Sequence, residues 1–149
     1  MFHLYIKKDT TSKDFLKEVL KKYGLSENDI IYNEYNKPLI KDNKLYFSIS
    51  HEKNICIIGI SNKCIGVDIQ YFTYNEKVIP KAFNPQEINI LTNSNNKAYD
   101  FTKLWTMKEA YAKYIGRGLT YDFTQIDTLN LLENYAFIET SEYIISVYN

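Results

Sequence analysis

Residues able to do chemistry fall into a few short stretches of this chain. The longest is Trp105-Thr106-Met107-Lys108-Glu109-Ala110-Tyr111-Ala112-Lys113-Tyr114-Ile115-Gly116-Arg117-Gly118-Leu119, which reads as the last turns of a helix closed by two glycines. Residues four apart on a helix lie above one another, so Trp105, Glu109 and Lys113 share a stripe. On a solvated face, Glu109 and Lys113 would form an i,i+4 ion pair worth about 0.2–0.5 kcal/mol. Facing other polar groups, they would supply a carboxylate and an ammonium to one site.

Gly66-Val67-Asp68-Ile69-Gln70 is the second stretch. On a strand, Ile65, Val67 and Ile69 face one way and Asp68 and Gln70 the other. A carboxylate among apolar residues is costly to desolvate without a partner or cation. Two readings stay open. Asp68 and Gln70 line a solvated sheet face, or they offer oxygens to a hard cation such as Mg²⁺, with Glu109 as a third ligand.

Ser48-Ile49-Ser50-His51 ends a strand, and Lys37 sits beside a turn. Hydroxyls, a histidine and a lysine at such corners can bind phosphate oxygens, although His51 serves equally as a cap for the turn at Glu52-Lys53-Asn54. His51 has no Ser/Asp or Cys/His arrangement near it in sequence, which speaks against a nucleophilic triad. Gly116-Arg117-Gly118 follows a helix instead of opening one, so it reads as a helix C-cap and not a phosphate-cradling loop.

These residues need a scaffold, and the composition supplies one. The 149 residues suit one domain with a real core, and 45% hydrophobic with 24% charged residues is ordinary for a globular protein. Eighteen basic and eighteen acidic side chains cancel, so the charge balance gives no support to a nucleic-acid or anionic-membrane partner. No apolar run approaches the roughly 20 residues of a membrane span, and the start of the chain does not read as a signal peptide. Cys56 and Cys64 read as reduced structural thiols, which fits a cytoplasmic location.

In chain order, the pattern predicts a strand at Phe2–Lys7 and a helix capped by Thr11 or Ser12. The apolar stripe of that helix is Phe15, Leu16, Val19, Leu20 and Tyr23, and it stops at Gly24. A strand at Ile30–Tyr35 leads to the turn Asn36-Lys37-Pro38. Strands at Leu45–His51 and Asn54–Ser61 follow, the second central, with a turn at Asn62-Lys63 reversing it into a hairpin with Cys64–Gln70. A helix from Asn84 or Pro85 to Leu91, a loop over Thr92–Lys97 and a long helix at Ala98–Ile115 come next. Strand-like runs at Phe123–Asp127, Tyr135–Glu139 and Tyr143–Val147 close the chain. This order is α+β, without regular βαβ units.

Four blocks together resemble the Sfp-type 4′-phosphopantetheinyl transferases. They are Glu34-Tyr35-Asn36-Lys37-Pro38, Phe47-Ser48-Ile49-Ser50-His51, Gly66-Val67-Asp68-Ile69-Gln70 and Trp105 to Leu119. They stand in the family's order, and the likeness covers most of the chain. The resemblance implies a single domain over residues 1–149 with two pseudo-symmetric α+β halves and the site between them. Residues 1–62 would form a shortened first half, and 63–149 a second half with the metal and catalytic motifs.

It further implies Mg-dependent transfer of the phosphopantetheine arm of coenzyme A to a serine of an acyl or peptidyl carrier protein, releasing adenosine 3′,5′-bisphosphate. Asp68, Gln70 and Glu109 would hold Mg²⁺, and Glu109 would also take the serine proton. Lys113 would contact the pyrophosphate. His51 would bind a phosphate of coenzyme A, with Lys37 and Ser50 at its 3′-phosphate, and Lys108 matches the motif among the coenzyme A-binding residues. Carrying both motif sets on one chain implies a monomer.

Two departures stand out. Gln70 occupies a position where the family commonly has glutamate, removing one charge from the metal site. About ten residues precede the first helix, whereas Sfp-type members usually carry a longer arginine-rich segment there that helps hold the nucleotide end of coenzyme A. The alternative they raise is a catalytically weakened homologue that binds coenzyme A or a carrier protein without transfer.

Overall fold

The computed structural model describes residues 1–149, except for the side chains of Asn43 and Leu119, the latter closing the fourth motif block. Strand β1 (Phe2–Lys8) leads into helix α1 (Ser12–Lys21), whose N-cap Thr11 accepts a hydrogen bond from the Asp14 amide. A small hairpin of β2 (Ile30–Tyr32) and β3 (Pro38–Ile40) precedes β4 (Tyr46–Glu52), β5 (Ile55–Ser61) and β6 (Gly66–Tyr71). Helices α2 (Ile79–Ala82), α3 (Pro85–Asn93) and α4 (Lys97–Ile115) follow, then β7 (Tyr135–Glu139) and β8 (Tyr143–Tyr148).

The long strands form two antiparallel three-stranded sheets, ordered β1-β5-β4 and β6-β8-β7. In each sheet the last strand in sequence lies in the middle, so both halves repeat one α+β topology. Alternation along the strands stacks the layers. Cys56, Ile58 and Ile60 of β5 join Phe47 of β4 beneath α1 residues Phe15, Leu16, Val19 and Leu20. Ile55 and Ile57 turn the other way, onto Ile65, Val67 and Ile69 and, from β8, Ile145 and Val147.

Helix α4 covers the far face of the second sheet. Its approach is set at Gly66, where a Cβ would lie 1.9 Å from the Ala110 carbonyl oxygen. Glycine alone lets the helix lie directly on β6 at Ala110 and Tyr114, the residues next to Glu109 and Lys113. The helix ends at Gly116, whose left-handed φ of 78° makes the expected C-cap.

Two expected features are corrected. Asn62-Lys63 does not close a β5–β6 hairpin: β5 is flanked by β1 and β4 on both edges, and β6 belongs to the other sheet. Phe123–Asp127 is not a strand but contains a short 3₁₀ turn at Phe123–Gln125. The carbonyls of Phe123 and Ile126 that a ladder would use accept hydrogen bonds from the Lys108 ammonium instead.

Smaller shifts have local causes. The strand expected over Ile30–Tyr35 stops at Tyr32, because Asn33 Oδ1 accepts from the amides of Tyr35 and Lys37 and bends the chain. Helix α3 extends to Asn93, into the expected loop. Both cysteines are free thiols, and among the described residues no helix is long and apolar enough to cross a membrane.

Candidate active site

Asp68 projects from β6 toward α4 and is 2% exposed. Its Oδ1 accepts from Lys113 Nζ at 2.7 Å and from Ser50 Oγ at 2.8 Å. Its Oδ2 accepts from Gln70 Nε2 at 3.2 Å. Three elements therefore converge on one carboxylate: β4 through Ser50, β6 through Gln70 and α4 through Lys113.

Glu109 lies one turn before Lys113 on α4 and has no hydrogen-bond or ion-pair partner among the described residues. Burial pushes its carboxyl up to about 6, the negative charge of Asp68 adds to the rise, and Lys113 opposes it. Mutual repulsion of Asp68 and Glu109 is the stress that a bound cation would relieve. Two carboxylates and an amide able to turn its oxygen inward form a hard-oxygen donor set that fits Mg²⁺. No cluster of three His, Cys, Asp or Glu side chains occurs among the described residues, so such a site rests on two acids.

Clefts reach this cluster from two directions. One, of about 220 Å³, is lined by Tyr35, Lys37, Pro38, Ser48 and Lys113. The other, of about 330 Å³, is lined by Val78, Lys81, Trp105, Glu109, Tyr121 and Phe123. Lys113 borders the first and Glu109 the second. Trp105 also packs into the aromatic cluster of Phe83, Phe101 and Phe123, which fixes the wall beside Glu109.

The remaining expected residues are dispersed. Ser50 is buried in the seam between the sheets, bonded to Asp68, and is not in the first cleft. His51 is exposed and, by strand alternation, projects from the opposite face of β4. Lys37 donates from Nζ to the Tyr114 carbonyl at 3.0 Å, at the end of α4, and burial lowers its pKa. Beside it, Asn33 Nδ2 donates to the Gly116 carbonyl at 3.1 Å, so the whole turn is docked on the helix terminus.

Lys108 departs furthest from expectation. It is fully buried, with Nζ 2.7 Å from Glu87 Oε2, 2.8 Å from the Phe123 carbonyl and 2.7 Å from the Ile126 carbonyl. All three ammonium protons are used, leaving none for a ligand. Burial pulls its pKa down against the opposing charge of Glu87.

Glu87 was not among the residues singled out. Its Oε1 accepts from Thr128 Oγ1 at 2.6 Å and its Oε2 from the Asn84 amide at 3.0 Å. The sequence signal for it was the capping-box spacing Asn84-Pro85-Gln86-Glu87, which marks the start of α3 but not a buried partner, Lys108, on α4.

Comparison with known proteins settles the family. A model described as the 4′-phosphopantetheinyl transferase superfamily matches residues 64–145, which span β6, α4, β7 and the first half of β8. The chain belongs to this superfamily. It is 32% identical over 108 residues to the 4′-phosphopantetheinyl transferase Sfp of Bacillus subtilis, covering 68% of this chain and 48% of that one. It is 36% identical over 90 residues to the 4′-phosphopantetheinyl transferase gsp of Aneurinibacillus migulanus, covering 58% and 38%. Against the 4′-phosphopantetheinyl transferase HetI of Nostoc it is 28% identical over 123 residues, covering 74% and 52%. The chain spans about half the length or less of these relatives. The Asp68 and Glu109 motifs of the superfamily member both lie inside the matched segment.

Proposed function

We propose that the chain transfers the 4′-phosphopantetheine arm of coenzyme A to a serine of an acyl or peptidyl carrier protein. The observation that carries this reading is the convergence of Asp68, Glu109 and Lys113 between two clefts. In the reaction the serine Oγ forms a bond to the phosphorus bearing pantetheine. The pyrophosphate P–O bond breaks, and adenosine 3′,5′-bisphosphate leaves.

Glu109 is the base. Its place in the cleft lined by Trp105 and Phe123, with no side-chain partner of its own among the described residues, suits it to receive the serine proton. Among the described residues Lys113 is the only cation on the Asp68 carboxylate, and its partly exposed side chain borders the other cleft, so it can turn to the pyrophosphate and offset leaving-group charge. Asp68 and Glu109, aided by the Gln70 amide, would hold Mg²⁺, which supplies charge neutralisation at the pyrophosphate. Transfer of this kind depends on positioning and electrostatics, and these residues offer both.

The nucleotide end of coenzyme A fits the cleft beside Tyr35 and Lys37, with Lys37 turning from the Tyr114 carbonyl toward a phosphate. His51 would meet the nucleotide only from the far face of β4. The carrier would approach Glu109 through the cleft that includes Val78, Lys81 and Trp105, where an apolar floor suits the apolar face of an amphipathic helix. One copy of the chain brings Asp68, Glu109 and Lys113 together, which supports a monomer as the active unit.

A second reading, coenzyme A or carrier binding without transfer, draws on one observation: Gln70 leaves the cation site with two acids. Chromatography of a reaction containing coenzyme A, an apo-carrier and Mg²⁺ separates the two. Adenosine 3′,5′-bisphosphate formed in step with carrier modification supports transfer, and bound coenzyme A with no such product supports the second reading.

A further inference from the structure

Strands β4 and β6 are edge strands of different sheets, and they lie against each other without a backbone ladder. Two serines join them. Ser48 Oγ accepts from the Val67 amide at 3.1 Å, and Ser50 Oγ donates to Asp68 Oδ1 at 2.8 Å. Both hydroxyls are buried, and being two residues apart they leave β4 on the same face. Ser48 satisfies an edge amide that would otherwise be buried without a partner. Ser50 satisfies the neighbouring carboxylate. The pair therefore fixes β6 in register against β4, one residue on each side of the Val67–Asp68 peptide.

We propose that Ser48 and Ser50 are positioning residues that orient the Asp68 carboxylate from the opposite half of the molecule. This rests on the metal and transfer reading given above and deepens it. Asp68 Oδ1 takes two donors, and Lys113 is the one that must leave to meet an anionic group. Ser50 stays. It keeps the carboxylate aimed toward Glu109 while Lys113 is engaged elsewhere, and Ser48 keeps the strand beneath it from sliding. Ser50 thus acts on the acid cluster and not on the nucleotide, the role its motif block suggested.

Removing a hydrogen-bond partner of a metal-binding side chain commonly weakens metal affinity 10- to 100-fold. The test is Mn²⁺ binding to the protein without coenzyme A, followed by the electron paramagnetic resonance signal of the free ion. Wild type, Ser50→Ala, Ser50→Thr, Ser48→Ala and Asp68→Asn are compared, with folding checked by circular dichroism. The expected result is binding by wild type, none by Asp68→Asn, and about tenfold weaker binding by Ser50→Ala. Ser50→Thr, which keeps the hydroxyl, recovers most of that loss. In transfer assays the half-saturating Mg²⁺ concentration rises for Ser50→Ala while the KM for coenzyme A stays within about twofold, a split that general loosening of the fold would not produce.

Wild-type Mn²⁺ affinity in folded Ser50→Ala, or no recovery in Ser50→Thr, would overturn the proposal while leaving the transfer reading standing. Failure of the wild type to bind Mn²⁺, or binding by Asp68→Asn equal to wild type, would overturn the metal site and the serine seam together. If Ser50→Ala does not fold, Ser48→Ala carries the same test, with weakened binding expected and unchanged binding overturning it.

Discussion

Lys113 sits 2.7 Å from Asp68 on the neighbouring strand, not on Glu109 one turn before it in its own helix. The i,i+4 spacing that would make Glu109 and Lys113 a surface pair is instead used to aim both at β6. Glu109 is thereby left without a direct partner among the described residues, and burial, with the Asp68 charge adding to it, raises its pKa to about 6. The spacing that would give a surface ion pair of negligible worth instead sets both side chains beside Asp68.

Replacing Lys113 by Met follows directly. Lys113 is the group holding the Glu109 pKa down, so its loss raises that pKa further above about 6 in the metal-free protein. Carbon-detected NMR titration of the Glu109 carboxyl reads the change. Transfer falls by about 10²-fold if the ammonium stabilises developing charge as proposed.

The pH dependence of stability has a definite sign. Glu109 binds its proton more tightly folded, at about 6, than at its ordinary value of 4.5. Its contribution is therefore fully present below pH 4.5 and is lost as pH rises through about 6. Glu109→Gln removes this term, so the metal-free variant gains about 1–2 kcal/mol over wild type at pH 8 but little at pH 4. Urea denaturation at the two pH values measures the difference.

Gly66 tests the link from fold to site. A Cβ there meets the Ala110 carbonyl oxygen at 1.9 Å and the Tyr114 amide nitrogen at 2.6 Å, both backbone atoms that cannot rotate away. Gly66→Ala forces α4 off β6 and costs about 1–3 kcal/mol or more. Because Lys113 then loses its reach to Asp68, transfer falls even where the variant remains folded, as calorimetry and assay together would show.

Lys108 and Glu87 form a buried pair, and breaking it from one side leaves an uncompensated charge. Lys108→Met and Glu87→Gln are each expected to destabilise by about 3–5 kcal/mol, with the double variant losing much less than the sum. Denaturation midpoints of the three variants give the coupling. Binding of coenzyme A by any folded variant stays near wild type, since Lys108 faces the Phe123–Ile126 segment and not a cleft.

The candidate-site residues on regular elements were legible in the sequence as candidates. Asp68 stands out because strand alternation puts a carboxylate among Ile65, Val67 and Ile69, and Glu109 with Lys113 because four-residue spacing places them on one side of α4. What lay across the chain was not legible. Ser50 reads as a phosphate-binding hydroxyl beside His51, but alternation sends the two to opposite faces and only the sheet-on-sheet packing gives Ser50 to Asp68. Lys108 could not be recognised as buried, because α4 buries residues around much of its circumference, Thr102, Thr106 and Met107 among them, so no single stripe marks its core face. The β5–β6 hairpin failed for a similar reason: a local turn signal carries no information that β1 has already taken the free edge of β5.

The central claim is tested most directly by mass spectrometry of an apo-carrier protein incubated with the chain, coenzyme A and Mg²⁺. The geometry predicts a gain of one phosphopantetheine on the carrier serine, lost on chelation of Mg²⁺ and reduced to background in folded Glu109→Ala. No gain on a panel of acyl and peptidyl carriers, from a chain that demonstrably binds coenzyme A, would contradict it.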